Sequence, residues 1–391
     1  MMHDETKNVT NDTVPVPGLF SALGYREYRL FWFAGAFSNL GMWALVFGRL
    51  WLMHSLTQSP LMLGAVTICS LGPVLILSPW GGVVADRVNR LKLVTITRAG
   101  FAFLALLTAA VIIFSLIRPW NLLAISVLTG ILLAFDMPSR QAILPNLVPR
   151  IHLVNAITIY SFVTAGSAII GPSIFAPLVK LSGLQGLFGL IGTAYMLTVV
   201  MLMLMKPISQ IRQTERTGLW RELGEGFQYI RLHPLIPSIL TLGLLGGVFG
   251  LSFETLLPIF ANQILHGGVD TYGSLLLASG LGGIVGTFIL VKLANLRNSD
   301  LIHLISGIGL GLVLVFFSQI SLQILAIGVM GLIGMFSMMF ITINNTMVQS
   351  VADEVFRGRV MSFHQLTWGI TAIGGFLMGF IAHLSTAPVA L

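Results

Sequence analysis

Eleven long apolar runs, nearly free of charge, follow one another through this chain, at approximately 30–53, 61–80, 93–117, 120–136, 154–180, 184–205, 235–263, 271–293, 301–318, 321–347 and 359–384. About 20 apolar residues suffice for a helix to cross the hydrocarbon core of a bilayer. Lipid offers the backbone no hydrogen-bond partner, so a spanning segment is a helix or a strand of a closed barrel. Barrel strands alternate in short segments, whereas these runs are long and continuous, which selects helices. Charged residues make up 9% of the 391 residues and hydrophobic ones 55%, where a soluble domain carries about 25% charged. A soluble protein could not bury so much apolar surface. The expected class is an all-α membrane protein with the bilayer as its solvent.

The net charge of +7 does not point to nucleic acid, because the basic residues sit in short turns between the runs. Of the 21 Lys and Arg, all but Arg49, Arg118 and Lys180 fall on one side if the runs are spans. Cytoplasmic loops are the basic ones, so a multi-pass protein of a bacterial inner or plasma membrane is expected, with its N-terminus in the cytoplasm. The single cysteine, Cys69, lies inside an apolar run and excludes an internal disulfide. Residues 1–25 are polar and lack the basic and apolar regions of a signal peptide.

The chain divides as a tail over 1–25, a six-span bundle over 26–205, a cytoplasmic linker over 206–234 and a five-span bundle over 235–391. In the linker, Leu219, Leu223, Phe227 and Ile230 share one helical face, as in a helix lying at the membrane interface; a solvated linker with one buried face is the alternative. The halves repeat. LMLGAVTICSLG (61–72) sets against YGSLLLASGLGG (272–283), matching Gly64 with Gly273 and Ser70 with Ser279. LVPRIHLVNAI sets against VADEVFRGRVM at an offset of 204, which carries Gly171 onto Gly375. Two such repeats suit a transporter whose site lies between pseudo-symmetric bundles. The second repeat lacks a counterpart of span 6, so truncation of a twelve-span parent is expected.

GGVVADRVNR (81–90) resembles the cytoplasmic Gly-x-x-x-Asp-Arg-x-Gly-Arg pattern of the major facilitator superfamily. Gly82, Asp86, Arg87 and Arg90 match it, and Asn89 stands where the second glycine is usual. Asn tolerates left-handed backbone angles, so the turn is expected to survive. SNLGMWALVFGRLWLMHSLTQSPLMLG, FDMPSRQAILPNLVPR, LLPIFANQIL and RGRVMSFHQL are similar to the branch that holds the enterobactin exporter and macrolide-efflux proteins. The resemblance implies a two-bundle transporter that exports small amphipathic molecules of drug, macrolide or siderophore type by alternating access, coupled to protons. Three features depart from proton-antiporter patterns: Met42 where relatives carry an acid, Phe175-Ala176 after Gly171-Pro172, and no arginine within helix 4.

The resemblance also implies a gate made of Gly82, Asp86, Arg87, Arg90, Asp136 and Arg140. Asp86 is expected to face the start of the last span near Arg359, where a helix N-terminus favours an anion, and Arg90 to pair with Asp136. Arg49 and Glu254 are the charges within spans, and such charges usually face a cavity or a partner. Arg49 either lines the cavity or snorkels to the interface. Glu254 is either a proton or cation site or a structural pair to Arg49. Asn39, Asn344, Asn345 and Gln365 lie within spans and suit hydrogen bonds between helices. Trp43, Phe249, Phe253 and Trp368 line either an aromatic cavity or the lipid. Metal-ligand spacing, a His-Glu-x-x-His and a phosphate-binding Gly-x-x-x-x-Gly-Lys loop are all absent from the sequence. No enzyme activity, cofactor or nucleic-acid partner is therefore expected, and a monomer is. A non-transporting sensor or inactive truncated product stays open, as does, more remotely, a polytopic membrane enzyme. Replacing Asp86 with Asn tests the gate: transport should fall while insertion into the membrane is unchanged, and full transport by the variant would remove Asp86 from the gate.

Overall fold

A computed structural model of the chain describes residues 20–207, 219–293 and 299–391; the side chains of some helical residues, among them Gly82, Asp86, Gln365 and Trp368, lie outside the described residues. All eleven apolar runs fall on helices. The first half comprises α1 (Arg26–Thr57), α2 (Pro60–Arg87), α3 (Arg90–Ile113), α4 (Pro119–Ile143) and α5 (Leu153–Met203). α5 holds two expected spans, separated only at Gly183, whose φ of 68° breaks the helix into two arms. A left-handed φ of this kind costs glycine little. After the linker helix α6 (Leu219–Leu232) come α7 (Ile236–Leu245) and its broken continuation, then α9 (Val269–Leu293), α10 (Ser299–Ser318), α11 (Gln323–Val351), α12 (Glu354–Leu384) and the short α13 (Ala387–Ala390).

The seventh span is irregular. A π turn at Gly246–Gly250, a 3-10 turn at Ser252–Leu256, the single turn α8 (Leu257–Ile259) and a second π turn at Phe260–Ile264 follow α7 within one membrane-length stretch. Such departures from α geometry often mark functional positions. Nine stretches of the described residues are long and apolar enough to cross a membrane; α12 has a shorter apolar stretch at Gly369–Leu384. Side chains such as Phe103, Phe288 and Leu312 stand more than 60% exposed on the bundle's flanks, a surface suited to lipid and not to water.

The helices have two ends. One carries the connections at 88–89, 144–152, 204–235 and 352–353, and is here called the linker end; the other carries the short loops at 58–59, 114–118, 265–268 and 385–386. The first of these linker-end turns is shorter than expected. Residues 81–87 belong to α2, so Asp86 and Arg87 close a helix and the turn is only Val88 and Asn89. Asn89 has φ −65°, not a left-handed angle; its side chain caps α3 by accepting a hydrogen bond from the Lys92 amide at 3.1 Å. Capping of an orphan N–H, and not turn geometry, explains an asparagine there.

Close backbone approach binds helices within each half, and it repeats between halves. A Cβ on Gly130 of α4 would strike the Ser70 carbonyl of α2 at 2.5 Å, and one on Gly334 of α11 would overlap the Ser279 carbonyl of α9. These are equivalent pairs under the internal repeat. Contacts between the halves run from the short-loop end towards the middle. A Cβ on Gly64 of α2 would come within 3.0 Å of the Gly375 carbonyl of α12, and one on Gly379 would meet the Pro60 carbonyl at 2.5 Å. Small residues at such crossings are how membrane helices gain packing.

The linker helix docks on the second half. Tyr229 stacks on Phe356 at 4.3 Å and donates to Asp353 at 2.9 Å, Arg359 donates to Glu225 at 2.9 Å, and Ile230 is buried while Phe227 is exposed. Leu219 and Leu223, which define the rest of its apolar face, lie outside the described side chains.

Gly334→Ala should destabilise the protein by about 1–3 kcal/mol through overpacking, read as a lower Tm in detergent. Gly328→Ala, on the same helix with nothing within 4 Å of the new Cβ, should leave Tm unchanged.

Candidate functional site

Among the described residues, two polar clusters and two charges without an ion pair stand out in these helices. The first cluster is centred on Asp136 of α4, which is fully buried. Arg98 of α3 donates to its Oδ2 at 2.7 Å and Thr97 to its Oδ1 at 2.8 Å. The Arg140 guanidinium, one helical turn on, reaches the same Oδ2 at 3.9 Å. Arg140 also donates to Asn39 Oδ1 on α1 at 3.0 Å and to the Tyr160 hydroxyl on α5 at 3.5 Å. Asn39 is held in turn by its own bond to the Gly35 carbonyl at 2.8 Å. The Arg98 guanidinium lies 5.7 Å from the ring centres of both Phe101 and Tyr195, a cation–π sandwich. A carboxylate with two arginines and a hydroxyl satisfies the demand that buried charge be paired.

This geometry corrects two expectations. Arg90 does not pair with Asp136: it donates to the Ala142 carbonyl at 3.2 Å, near the linker end of α4, while Arg98 takes the carboxylate. Arg98 and Arg140 are also not simple loop charges. Arg98 is 2% exposed and Arg140 14% as side chains, so both work inside the first half. Asn39, read as one of several spanning polar residues, belongs with Asp136 and Arg140. Gly82 and Asp86 lie outside the described side chains, and Arg87 is exposed at the end of α2.

The isolated charges are Arg49 and Glu254. Arg49 does not snorkel: it is 4% exposed, and its hydrogen bonds go to the Leu45 carbonyl and the Ser70 hydroxyl, both at 3.4 Å. Five N–H donors are poorly served by two long bonds. Glu254 sits in the 3-10 turn between the two π turns. Among the described residues it makes no hydrogen bond or ion pair, and it is not the partner of Arg49. Its neighbour Thr255 crosses to Thr67 of α2 at 3.2 Å.

The short-loop end above these charges is closed. Tyr272 of α9 stacks on Trp51 of α1 at 5.2 Å and meets Phe175 of α5 edge-on at 5.4 Å, joining the halves through aromatic faces. Lys180 of α5 pairs with Asp270 of α9 at 2.8 Å on the exposed rim. Trp43 stacks with Phe47 at 5.8 Å and presses on Gly171, where a Cβ would lie 2.8 Å from the Trp43 Cβ. Phe253 is buried, whereas Phe249 is 65% exposed, so the structure does not bring these two into one aromatic wall.

The second cluster had no counterpart in the sequence reading beyond Asn344. Asn344 of α11 joins His303 of α10, at 3.3 Å from Nε2, and His364 of α12, at 2.9 Å from Nε2. Its amide nitrogen also donates to the Ile239 carbonyl of α7 at 3.0 Å. The repeat offset holds a signal for it: Arg140 and Tyr160 carry over at 204 to Asn344 and His364, and Arg98 at 205 to His303. Asn345, next in sequence, is half-buried and accepts from Gln349.

Asp136→Asn would leave Arg98 buried without its counter-charge, a loss of about 3–5 kcal/mol. The yield of folded protein in fluorescence-detected size exclusion should drop sharply. Arg98→Gln combined with Asp136→Asn should recover part of it, since Arg140 keeps Asn39 and Tyr160.

Residues 18–391 match the transmembrane secretion effector family. Among curated proteins, the staphyloferrin A transporter of Staphylococcus aureus (strain NCTC 8325 / PS 47) is 29% identical over 88% of this chain and 86% of its own length. The enterobactin exporter EntS of Shigella dysenteriae serotype 1 (strain Sd197) is 28% identical over 79% and 74%. Among solved structures, a bacterial homologue of the human lysosomal transporter Spinster, inward-facing and unoccupied, superposes with TM-score 0.73 at 14% identity over 92% of this chain and 83% of that one. The nucleoside transporter NupG superposes at 0.66, also 14% identical, over 93% and 94%. An all-helical two-bundle fold, the family match along nearly the whole chain and relatives that are named transporters agree, and the chain belongs to the transmembrane secretion effector family of major facilitator transporters.

Proposed function

We propose that this chain exports a small amphipathic anion of siderophore type across the cytoplasmic membrane by alternating access, driven by protons. The observation that carries the substrate charge is Arg49, a buried guanidinium with no carboxylate within ion-pair distance among the described residues. A buried cation without a partner is costly, so a carboxylate or catecholate reaching it from the cavity between the halves gains more than it would in water. The names of two relatives, a staphyloferrin A transporter and an enterobactin exporter, favour the same class of ligand.

Alternating access is supported by the closure at the short-loop end. Trp51, Phe175 and Tyr272 plug the short-loop end, and Lys180 with Asp270 clasps its rim. On this proposal the linker end faces the cytoplasm, as the bias of basic residues in its loops supports. The gate carried over from the family, with Asp86 and Arg87 closing α2, would shut that end in the opposite state. Glu254 is the carboxylate suited to coupling, since it has no hydrogen bond or ion pair among the described residues and sits in irregular backbone. One proton crossing 100 mV supplies about 2.3 kcal/mol. The two bundles, 26–205 and 235–391, are proposed as the rocking units, joined by the segment 206–234, in a monomer.

Uptake into everted vesicles, with and without a pH gradient, tests this on catecholates, hydroxycarboxylates, macrolides and cationic dyes. Uptake should be selective for the anions. Arg49→Gln should raise KM for them about tenfold, equivalent to ~1.4 kcal/mol, and Glu254→Gln should remove the response to the pH gradient. Preference for dyes or macrolides would overturn the anionic assignment. Absence of all uptake by inserted protein would favour a non-transporting sensor.

A further inference from the structure

We infer that His303, Asn344 and His364 form a proton-binding site in the second half of the bundle, with Nδ1 of His364 as the acceptor. The hydrogen bonds define the starting state. The Ile239 carbonyl can only accept, so the atom of Asn344 that faces it at 3.0 Å is the amide nitrogen. The second hydrogen of that nitrogen points to His303 Nε2 at 3.3 Å, which must then be unprotonated. The amide oxygen is left to accept from His364 Nε2 at 2.9 Å, which must carry a hydrogen. One asparagine thus sets both rings: the proton of neutral His303 is on Nδ1, and that of neutral His364 is on Nε2.

The two rings differ in what a second proton would do. On His303 it would have to enter at Nε2, where it opposes the Asn344 N–H. On His364 it enters at Nδ1, which has no hydrogen-bond partner among the described residues, and the bond to Asn344 becomes charge-assisted. A cavity of about 20 Å³ lies against His364 and Asn344, bounded also by Gly243, Thr367, Leu251 and Phe340. That volume holds one water. The Thr367 hydroxyl on its wall is buried and unpartnered, which is the kind of group an internal water satisfies. A hydronium entering there gives its proton to Nδ1 and leaves as water.

Among the described residues the surroundings contain little else that titrates; on α2, which packs along α12, Arg87 is exposed at the helix end. α7 and α11 bring no ionisable side chain to the site, and Phe340 of α11 covers the His303 ring at 4.8 Å. On α10 the nearest charge is Asp300, one turn towards the linker end. On α12 it is Arg359, whose guanidinium is engaged by Glu225 of the linker helix. By helical rise the cluster lies roughly 6–15 Å from the linker end of its helices, within reach of water when that end is open. At the matching places in the first half stand Arg98, Arg140 and Tyr160, with fixed charges on the two arginines. The second half therefore has a core whose charge can change, opposite one whose charge cannot.

The site rests on the transporter reading only for its consequence, that protonation biases the bundle between its two states. The test is ¹⁵N NMR of histidine-labelled full chain in lipid nanodiscs from about pH 8 to pH 5, the range in which imidazoles change charge. His364 is assigned by its loss in His364→Gln or, if that variant does not insert, in His364→Asn; wild-type protein provides the titration. The expected result is a His364 ring with one proton, on Nε2, at the upper pH and two at the lower, while His303 keeps a single proton on Nδ1. Asn344→Leu should let the His303 ring change tautomer. A His364 ring in one protonation state throughout would overturn the site. Vesicles that transport nothing while His364 titrates would overturn the transporter reading and leave the site standing.

Discussion

Lipid removes the usual reason for helices to associate. An apolar face is as well solvated by acyl chains as by another helix, so packing must come from closeness. In this chain closeness comes from glycine set against a neighbour's carbonyl: Gly130 on Ser70 within the first half, Gly334 on Ser279 within the second, and Gly64 and Gly379 between halves. Dispersion falls steeply with a gap of even half an ångström. Contacts of this kind are therefore made or broken, with little between. The pairs within each half make it a unit, and those between halves can be given up only together, which is the mechanical requirement for rocking bundles.

Polar groups add specificity to that packing at a cost. Asp136 satisfies two arginines and draws α1, α3, α4 and α5 together through Asn39, Arg98 and Tyr160. Asn344 does the same for α7, α10, α11 and α12 through His303, His364 and the Ile239 carbonyl. Each half thus has a polar knot at equivalent positions. The chemistry differs: the first is built from permanent charges, the second from neutral groups, two of which are imidazoles.

The helices were legible in the sequence because a run of uncharged residues of membrane length has few other fates. The ends of those helices were not. Asp86 and Arg87 look like a loop when charge alone is read, yet α2 continues through them, since a helix end in the aqueous phase tolerates charge. Arg98 illustrates the same limit from inside: by position it belongs to a basic turn, and only the fold shows that Asp136 reaches it. His303 and His364 do not stand out in the sequence, because a lone histidine in an apolar run resembles ordinary core. The repeat contained the missing information, since the offset that aligns Gly171 with Gly375 also aligns Tyr160 with His364.

The same offset relates two charges that have no ion pair among the described residues. Arg49 and Glu254 are 205 residues apart, on the first helix of each half. Pseudo-symmetry places them on opposite sides of the axis between the bundles, where a direct ion pair would have relieved both. Each is instead left beneath the plug of Trp51, Phe175 and Tyr272, Arg49 with two long bonds and Glu254 with none among the described residues. Two uncompensated charges of opposite sign in a low-dielectric interior cost several kcal/mol. A site that stores such a cost is one that a ligand or a proton can relieve. On the proposed function, an anion at Arg49 neutralises one side of the interface between the halves on the outward step and a proton on Glu254 neutralises the other on the return, so the two relieve that interface in turn. Neutralising that interface lowers the barrier to separating Thr67 from Thr255 and Tyr272 from Trp51, the contacts that hold the short-loop end shut.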